Sequence, residues 1–425
     1  MEHRFGLFER YGVEIEHAIV RTDTLDVLPA ADAVLRDAAG AICGEVDHGG
    51  VSWSNELCLH VVELKNTEPA ATLDGLSARF QEQVGRVNAR LADPTADAPG
   101  PARLMPGGMH PWMIPATQTR LWPHDHAEFY AAFDRIFDCR RHGWANVQSV
   151  HLNLPFRSDE TPLSEFGRLH AAVRLILPLL PALAAASPVM DGRPTGLMDN
   201  RLAVYAMNAV RVPSMTGRVI PEAVYTREAY ERTVLGPIYD ELAPLDPAGL
   251  LRHEWANARG AIGRFERGTI EIRLMDAQEC PRADVAICGA VAAVLRDLVA
   301  ERWLDVHRQQ AFGIDPLAEV LGSTIRDAER AVIRDKDYLR ALGFGAPACT
   351  AGDLWAHLAE TIGPGAYVPD EGPGEHPLDV ILREGPLARR IANALGPGPS
   401  RPHLVAIAGR LCDALRDGRS FRGAT

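Results

Sequence analysis

Four short segments of the chain alternate apolar and polar residues with the two-residue period of a β-strand that has one buried face. They are GVEIEHAIV from Gly12, HVVELKN around Glu63, QSVHLNLPF around His151 and GTIEIRLMD around Glu271. In each segment Val, Ile or Leu side chains share one face. The pattern predicts four strands whose apolar sides face a common core.

The other face of these strands has an unusual composition for a solvated surface, which would favour Thr, Lys and mixed residues. It carries acidic, imidazole, amide and guanidinium groups: Glu14, Glu16, Glu63, His151, Asn153, Glu271 and Arg273, with Glu56 just before the second segment. Glutamate is a poor strand former, and two like charges at i and i+2 repel each other. The pattern therefore needs positive charge opposite these carboxylates.

A metal-filled cavity is the interpretation that this face favours. One such strand alone is usually an exposed, salt-bridged surface, and a lone strand histidine is usually structural; four strands with the same polarity weaken that alternative. Carboxylate oxygens with an imidazole suit hard divalent cations such as Mg²⁺ or Mn²⁺. An arginine among them suits a phosphate or a carboxylate, which it can hold with two hydrogen bonds.

Helical periodicity separates the strands. An apolar stripe predicts an amphipathic helix over 71–92, a second helix is predicted over 126–143 with Gly143 as its C-cap, and a long helix follows over 162–187. From Arg282 onward the pattern is helical. Strands mixed with helix blocks predict an α+β fold with an antiparallel sheet, with a catalytic domain over 1–300 and a helical C-terminal region over 301–425 packed on it.

Composition narrows the function further. A net charge of −12 over 425 residues argues against nucleic acid or an anionic membrane as the main partner. No apolar run reaches the roughly 18 residues of a membrane span. Seven scattered cysteines without a CxxC pair, and an N-terminus without a signal-peptide pattern, predict reduced thiols in the cytoplasm. Neither a phosphate-binding P-loop nor GxGxxG is present, and Lys65 and Lys336 are the only lysines.

The ordered segments GVEIE, NELCLHVVELKN, VHLN and GTIEIRLMD resemble those of the glutamate–cysteine ligases, and especially their bacterial carboxylate–amine ligase branch within the glutamine synthetase superfamily. The segment LPALAAASPVMDGRPTGLMDNR is similar to a stretch that the family carries after a long helix. The resemblance runs from about Gly12 to about Asp284. It is fairly specific for the superfamily and much less so for any substrate.

The resemblance implies a glutamine synthetase-like fold, with a curved antiparallel sheet around an active site that uses ATP and two or three Mg²⁺ ions, or Mn²⁺. A substrate carboxylate is phosphorylated by ATP, and an amine then attacks the acyl phosphate. By the same resemblance the metal positions are Glu14, Glu16, Glu56, Glu63, His151 and Glu271. Glu63, His151, Asn153 and Arg273 would bind the nucleotide, and Arg273 and Arg201 would act on phosphate or substrate.

Two features depart from the family. Relatives often carry HxH on the third strand, where this chain has His151 and Asn153, and asparagine binds metal more weakly. The His- and Trp-rich loop 105–126 has no counterpart among the common enzymes. We expect this loop to be a lid or an acceptor pocket, with a packed structural loop as the alternative.

Three functions stay open on the sequence. The first is an ATP-dependent ligase that joins a small carboxylate and an amine, which are amino acids or a peptide, to give a γ-glutamyl or related amide. The second is a phosphotransferase of the same fold, and the third is a non-catalytic protein that binds ATP or an amino acid. The number of unpaired carboxylates argues against the third. The identity of both substrates and a homo-oligomeric state also stay open.

Overall fold

An antiparallel sheet of eight strands lies at the centre of the computed structural model, which describes residues 5–37, 39–92, 100–369 and 372–423. The twelve strands in chain order are β1 Gly12–Arg21, β2 Glu45–Asp47, β3 Val51–Asn55, β4 Val61–Asn66, β5 Ala102–Met105, β6 Ser149–Pro155, β7 Val189–Met190, β8 Arg193–Pro194, β9 Ala261–Arg264, β10 Thr269–Asp276, β11 Val332–Ile333 and β12 Cys349–Thr350. The main sheet has the order β2-β3-β4-β1-β6-β10-β9, and β5 pairs with the end of β1. The two other pairs are β7-β8 and β11-β12.

Helices make up most of the rest of the described chain. Those before residue 300 are α1 Ala31–Val34, α2 Leu76–Ala92, α3 Pro115–Gln118, α4 Ala127–Phe137, α5 His142–Ala145, α6 Glu165–Ile176, α7 Leu180–Ala184, α8 Asn200–Tyr205, α9 Pro213–Thr216, α10 Arg227–Tyr230, α11 Gly236–Leu242 and α12 Pro281–Val299. Those after it are α13 Val306–Gln310, α14 Ile314–Asp327, α15 Lys336–Ala341, α16 Ala351–Ile362, α17 Pro377–Glu384, α18 Leu387–Leu395 and α19 Arg401–Asp417. Short 3₁₀ turns lie at Leu177–Leu179, Glu254–Ala256, Ala328–Arg330 and Gly363–Ala366, and a π-helical turn at Glu231–Leu235.

The apolar face of the sheet packs against α2, α6 and α12. Alternation along the strands places Val13 and Ile15 of β1, with Leu152 of β6, fully inside the core. The helix α2 presents a stripe at helical spacing that includes Phe80 and Val84, both completely buried. Burial of this apolar surface is the main favourable contribution to folding, and it leaves the opposite face of the sheet free to carry charge.

All four predicted strands are present, as β1, β4, β6 and β10, and the predicted α+β class with an antiparallel sheet is confirmed. Two further strands, β2 and β3, extend the sheet beyond β4, and the alternation of residues did not predict their bounds. Glu56 follows directly after β3 and lies in the connection between β3 and β4.

The predicted helices differ in detail from those observed. The segment 71–75 is not helical, and α2 begins at Leu76. Gly143 is not a C-cap: α4 ends at Phe137, where Asp138 takes the left-handed conformation with φ 55°, and Gly143 lies inside the short helix α5. The long helix over 162–187 is divided into α6, a 3₁₀ turn and α7 because Pro178 and Pro181 cannot donate backbone hydrogen bonds.

The C-terminal helices continue the central core. Leu317, Leu321 and Trp355 belong to the same cluster of buried apolar side chains as the strand residue Val13. A buried ion pair joins the end of the chain to the segment after β10, since Arg390 Nη1 donates to Glu279 Oε1 at 2.5 Å. These helices therefore pack directly on the sheet region.

One helical stretch among the described residues, Glu165–Ala184, is long and apolar enough to cross a membrane by length and composition alone, with a mean hydropathy of 1.3. Within its most apolar window, 94% is buried inside the protein. That burial is typical of the core helix of a globular protein, and it agrees with the buried helix predicted for this segment.

The buried His170 of α6 predicts acid lability. Burial, and to a smaller extent the cation of Arg174, lower the pKa of His170 to about 3. Below the unfolded-state pKa of about 6.5, this histidine binds a proton in the unfolded chain but stays neutral in the folded protein until the pH falls to about 3. Each pH unit between about 6.5 and about 3 therefore costs up to about 1.4 kcal/mol of stability from this residue.

Replacement of His170 by Phe should flatten the fall in unfolding free energy between pH 6.5 and the acid limit of folding, as measured by urea unfolding at several pH values. The matched control is His403→Phe at an exposed position of α19, which should keep the wild-type pH dependence. Parallel profiles for wild type and His170→Phe would contradict the prediction.

Candidate active site

The polar face of the sheet forms one side of a cavity of about 390 Å³. Strand register brings the predicted residues together there, because Glu14 of β1 lies opposite Lys65 of β4 on one side and opposite His151 of β6 on the other. Glu16 lies directly opposite Glu63. Directly opposite side chains of antiparallel strands are about 5 Å apart, so these groups interact strongly.

The nine residues proposed from the sequence as site residues are all grouped around this cavity. Eight of these line it with carboxylate, imidazole or guanidinium groups: Glu14, Glu16, Glu56, Glu63, His151, Glu271, Arg273 and Arg201.

 The ninth, Asn153, lies behind them and donates its Nδ2 hydrogen to Glu14 Oε1 at 3.2 Å. The loop 105–126, for which a lid or an acceptor pocket was expected, lies elsewhere.

The loop 105–126 supports the fold and contributes no residue to the cavity lining. Its His110 is buried and bonds through Nε2 to the carbonyl oxygen of Leu25 at 2.7 Å. Trp112 donates Nε1–H to Asp26 Oδ1 at 2.8 Å, and the guanidinium of Arg401 stacks on its ring. These contacts support the alternative of a packed structural loop, and the role of the loop as a lid or an acceptor pocket stays a prediction.

Hydrogen bonds fix the carboxylates on β1. Glu14 Oε2 accepts from His151 Nδ1 at 2.9 Å, while Glu16 Oε2 accepts from the backbone N–H of Ser149 at 2.7 Å and from its hydroxyl at 3.1 Å. The Ser149 hydroxyl also lies 2.9 Å from His151 Nε2. A single imidazole is therefore held between the two glutamates of the first strand, directly by one and through Ser149 by the other.

The field of the carboxylates is visible in the pKa of His151. Burial acts to lower this pKa, but the hydrogen bond to Glu14 and the charges of Glu14, Glu16 and Glu271 outweigh burial and raise it to about 9. A position that stabilises a proton so strongly also attracts other cations. His151 is thus one of the positive groups that face Glu14 and Glu16, and Lys65 lies opposite Glu14 on the other side of β1.

Two other carboxylates are crowded at the same place. Burial and the charges of Glu16 and Glu63 raise the pKa of Glu56 well above its ordinary value. Burial and the charge of Glu14 also raise the pKa of Glu63, although Lys65 and the hydroxyl of Ser54 oppose this change. Carboxyl groups with raised pKa values gain from a nearby cation, which stabilises their charged form.

Glu271 differs from the other carboxylates because two arginines already neutralise it. Arg264 Nη1 donates to Glu271 Oε2 at 2.8 Å, and Arg273 Nε donates to Oε1 at 3.1 Å. Although burial opposes the change, the charges of Arg273, His151 and Arg264 lower the pKa of Glu271 well below its ordinary value. Arg264 comes from β9, the partner strand of β10, so the hairpin itself builds this cluster.

The donor set fits divalent metal ions. Two groups of three residues could each hold an ion: Glu14 with His151 and Glu271, and Glu16 with Glu63 and His151. Within each group, the ligand atoms of the three residues lie within 4.8 Å of one another. Hard cations such as Mg²⁺ and Mn²⁺ prefer such oxygen ligands. The sequence alone suggests that these carboxylates are unpaired, which would argue against a non-catalytic binding protein. Most of them are paired by the hydrogen bonds described above, so that argument does not hold.

Arg201 is aimed into the cavity by a buried carboxylate. It lies in α8, whose N-cap Asp199 accepts from the backbone N–H of Leu202. Its Nε donates to Asp276 Oδ1, and Asp276 Oδ2 accepts from the backbone N–H of Ala186 and the hydroxyl of Ser187, both at 2.8 Å. Both members of this ion pair are almost completely buried.

Gly108 leaves room for this pair. A Cβ atom at that residue would overlap the carboxyl group of Asp276, so the backbone of the loop 105–126 can approach Asp276 only because residue 108 is glycine. The loop thereby contributes to the position of Arg201 without lining the cavity.

The remaining lining was not predicted from the sequence. It includes Lys65 and Ser149 from the strands, the arginines Arg264 and Arg267, and the aromatic residues Tyr130, Phe133, Trp144, Tyr205 and Trp255. Arg264 could have been found, because the hairpin register pairs it with Thr269 and alternation places it on the face of Glu271. The aromatic residues lie outside the sheet, and no local pattern in the sequence marks them.

Loss of the Asp276 carboxylate should destabilise the fold. Asp276→Asn leaves the buried charge of Arg201 without its counter-ion, and breaking a buried pair of this kind typically costs about 3–5 kcal/mol. The control is Asp315→Asn, which removes an exposed partner of Arg218 and should leave stability almost unchanged. Chemical denaturation of both variants measures the difference, and equal stabilities would contradict the structural role of Asp276.

Comparison with known proteins identifies the family of the chain. The family model described as glutamate–cysteine ligase family 2 matches residues 10–396. A protein of Archaeoglobus fulgidus described as uncharacterized is 35% identical over 295 residues, which cover 69% of this chain and 76% of that protein. A Pseudomonas aeruginosa protein named "Putative glutamate--cysteine ligase 2" is 28% identical over 341 residues, covering 79% of this chain and 74% of the relative.

A solved structure extends the likeness to the fold. The glutamate–cysteine ligase of Francisella tularensis, determined in complex with AMP, superposes with a TM-score of 0.59 over 98% of this chain and 90% of that chain, at 12% identity. This likeness shows a common fold, of the glutamine synthetase type. With the family match over most of its length, the chain belongs to glutamate–cysteine ligase family 2, a family of ATP-dependent ligases.

Proposed function

We propose that this protein is an ATP-dependent carboxylate–amine ligase that forms an amide through an acyl phosphate. The observation that carries the proposal is the single cavity in which Glu14, Glu16, Glu56, Glu63 and Glu271 meet His151 and several arginines. Family membership supports the same reaction class. Phosphoryl transfer needs positioning and charge neutralisation more than covalent help from the protein, and this cavity offers both.

The residues that would hold Mg²⁺, or Mn²⁺ in its place, are the carboxylates Glu14, Glu16, Glu56, Glu63 and Glu271 with the imidazole of His151. Bound metal would neutralise the phosphate oxygens of ATP during transfer. A neutral imidazole has one free lone pair, so His151 can bind one ion only. Glu63, His151 and Asn153 remain the proposed contacts to the nucleotide, with Asn153 acting through its hydrogen bond to Glu14.

The proposed chemistry has two steps. A carboxylate oxygen of the first substrate attacks the γ-phosphorus of ATP, the bond to the bridging oxygen breaks, and ADP leaves. The amine of the second substrate, after its ammonium form has lost a proton to water, attacks the acyl carbon. The C–O bond breaks with its electron pair going to inorganic phosphate, which takes up the second proton that the nitrogen loses.

The arginines have separate tasks in this scheme. Arg273 lies on the polar face beside Glu271 and would contact the transferred phosphoryl group. Arg201, held by Asp276, would bind the substrate carboxylate or the phosphate. Because Asp276 and the carbonyl oxygen of Arg273 both hold the guanidinium of Arg201, its direction is set before any substrate binds.

Glutamate and cysteine are the substrates that the family name suggests, and a γ-glutamyl amide would be the product. Another amine, or a peptide carboxylate, fits the same chemistry. We also propose that residues 1–300 form the catalytic unit, that residues 301–425 pack on it, and that the protein works in the cytoplasm. Support for the compartment comes from its seven cysteines, none of which forms a disulfide.

The first experiment is ADP release in the presence of Mg²⁺ and ATP, screened over amino acids singly and in pairs, with mass spectrometry of any product. A ligase should release ADP and phosphate only when both an acid and an amine are present. Release with one acceptor and a stable phosphorylated product would instead identify a phosphotransferase. Nucleotide binding without turnover over the whole panel would contradict the ligase and indicate a binding protein.

Replacement of Glu14 by Gln should reduce turnover by roughly 100-fold or more, because it removes a negative charge of the proposed metal site and so weakens binding of the cation that would neutralise the phosphate, while it keeps the size of the side chain. The matched control is Glu228→Gln, at a glutamate whose side chain is 88% exposed, which should keep full activity. Thermal unfolding of both variants checks that they are folded. Wild-type turnover in folded Glu14→Gln would remove Glu14 from the proposed metal site.

A further inference from the structure

Lys65 places a protein cation directly among the carboxylates of the site. Its Nζ lies 3.0 Å from Glu45 Oε2 and 3.3 Å from Glu63 Oε2. In the sheet register it is also directly opposite Glu14. The ammonium group thus contacts two carboxylates, from β2 and β4, and lies across the sheet from a third on β1, at the edge of the cavity.

The choice of lysine at this position is unusual within this chain. Only two of its 44 basic residues are lysines, and the cavity arginines Arg201, Arg264 and Arg273 show that guanidinium groups are otherwise used here. A guanidinium is a flat fork that suits bidentate contacts, whereas an ammonium is a compact and strongly hydrated point charge. Of the two side chains, lysine is therefore the closer counterpart of a small metal ion between several oxygens.

Lys65 lies beside the two groups of proposed metal ligands and belongs to neither. One group consists of Glu14, His151 and Glu271, and the other of Glu16, Glu63 and His151. Glu63 Oε2 pairs with Lys65 Nζ and also accepts a hydrogen bond from the hydroxyl of Ser54 at 2.6 Å. Its Oε1 is the atom left for an ion. Glu45 belongs to neither group and meets the site through Lys65.

We propose that the ammonium of Lys65 takes the place of a third divalent cation, so that the site holds two metal ions and one fixed protein cation. The inference rests on the ligase function proposed above and narrows its requirement of two or three ions. Charge supports it, because two divalent ions balance the four carboxylates Glu14, Glu16, Glu56 and Glu63, whereas Glu271 is already paired with two arginines. The ammonium then offsets Glu45, which would otherwise add to the negative field.

Metal stoichiometry tests this inference without any knowledge of the substrates. Metal-free protein is titrated with Mn²⁺ alone, and free Mn²⁺ is followed by electron paramagnetic resonance. Wild type should bind two ions per chain and Lys65→Met three, because removal of the ammonium frees Glu14, Glu45 and Glu63 for a third ion. Lys65→Gln is a second variant with the same expectation, and Lys65→Arg, which keeps the charge, should bind two.

The matched control is Arg267→Met, which removes the same charge from an exposed residue at the cavity rim. It should strengthen Mn²⁺ binding, because loss of a positive charge makes the electrostatic potential in the cavity more negative, but it should keep two ions per chain. Two ions in folded Lys65→Met and Lys65→Gln would overturn the role of Lys65 while leaving the proposed metal site intact. Fewer than two ions in wild type would contradict the metal site itself, and three in wild type would contradict the inference.

Discussion

The crowding of five carboxylates on one side of a cavity is the constraint on which the arrangement of this protein depends. Glu16 and Glu63 lie directly opposite each other, and two unit charges about 4 Å apart repel by about 4 kcal/mol at the effective dielectric near a protein surface. Positive groups from the same sheet offset this repulsion. His151 and Lys65 come from the strands on either side of β1, and Arg264 and Arg273 come from the β9–β10 hairpin.

The hydrophobic core holds this electrostatic arrangement in place. Val13 and Ile15 alternate with the site residues Glu14 and Glu16 on β1, and Ile270 and Ile272 flank Glu271 on β10 in the same way. A slip of one residue would exchange the two faces of a strand and bury glutamates under α2, α6 and α12. The free energy of apolar burial therefore selects the register, and the register sets the spacing of the carboxylates and cations.

Elements outside the sheet complete the site by packing. Asp276, at the end of β10, holds Arg201 from a short helix, and the close approach of the loop 105–126 at Gly108 keeps that carboxylate enclosed. The aromatic side chains that line the cavity come from α4, α5, α8 and the turn Glu254–Ala256. The ring centroids of Phe133 and Trp144 are 5.3 Å apart, and those of Phe133 and Trp255 are 5.8 Å apart. The second of these contacts joins segments more than a hundred residues apart.

The alternation of residues along the chain by itself determined the four strands and the face on which Glu14, Glu63, His151 and Glu271 lie, because side-chain direction in a strand depends only on position along it. The same local rules placed the stripe of α2 but missed its start, and they misassigned Gly143 as a helix end. Only the tertiary structure decided which strands are neighbours, and hence that Glu16 faces Glu63 and that Lys65 faces Glu14. Pairing of distant strands, burial of Asp276 with Arg201 and packing of the aromatic residues are non-local interactions, and no short sequence pattern encodes them.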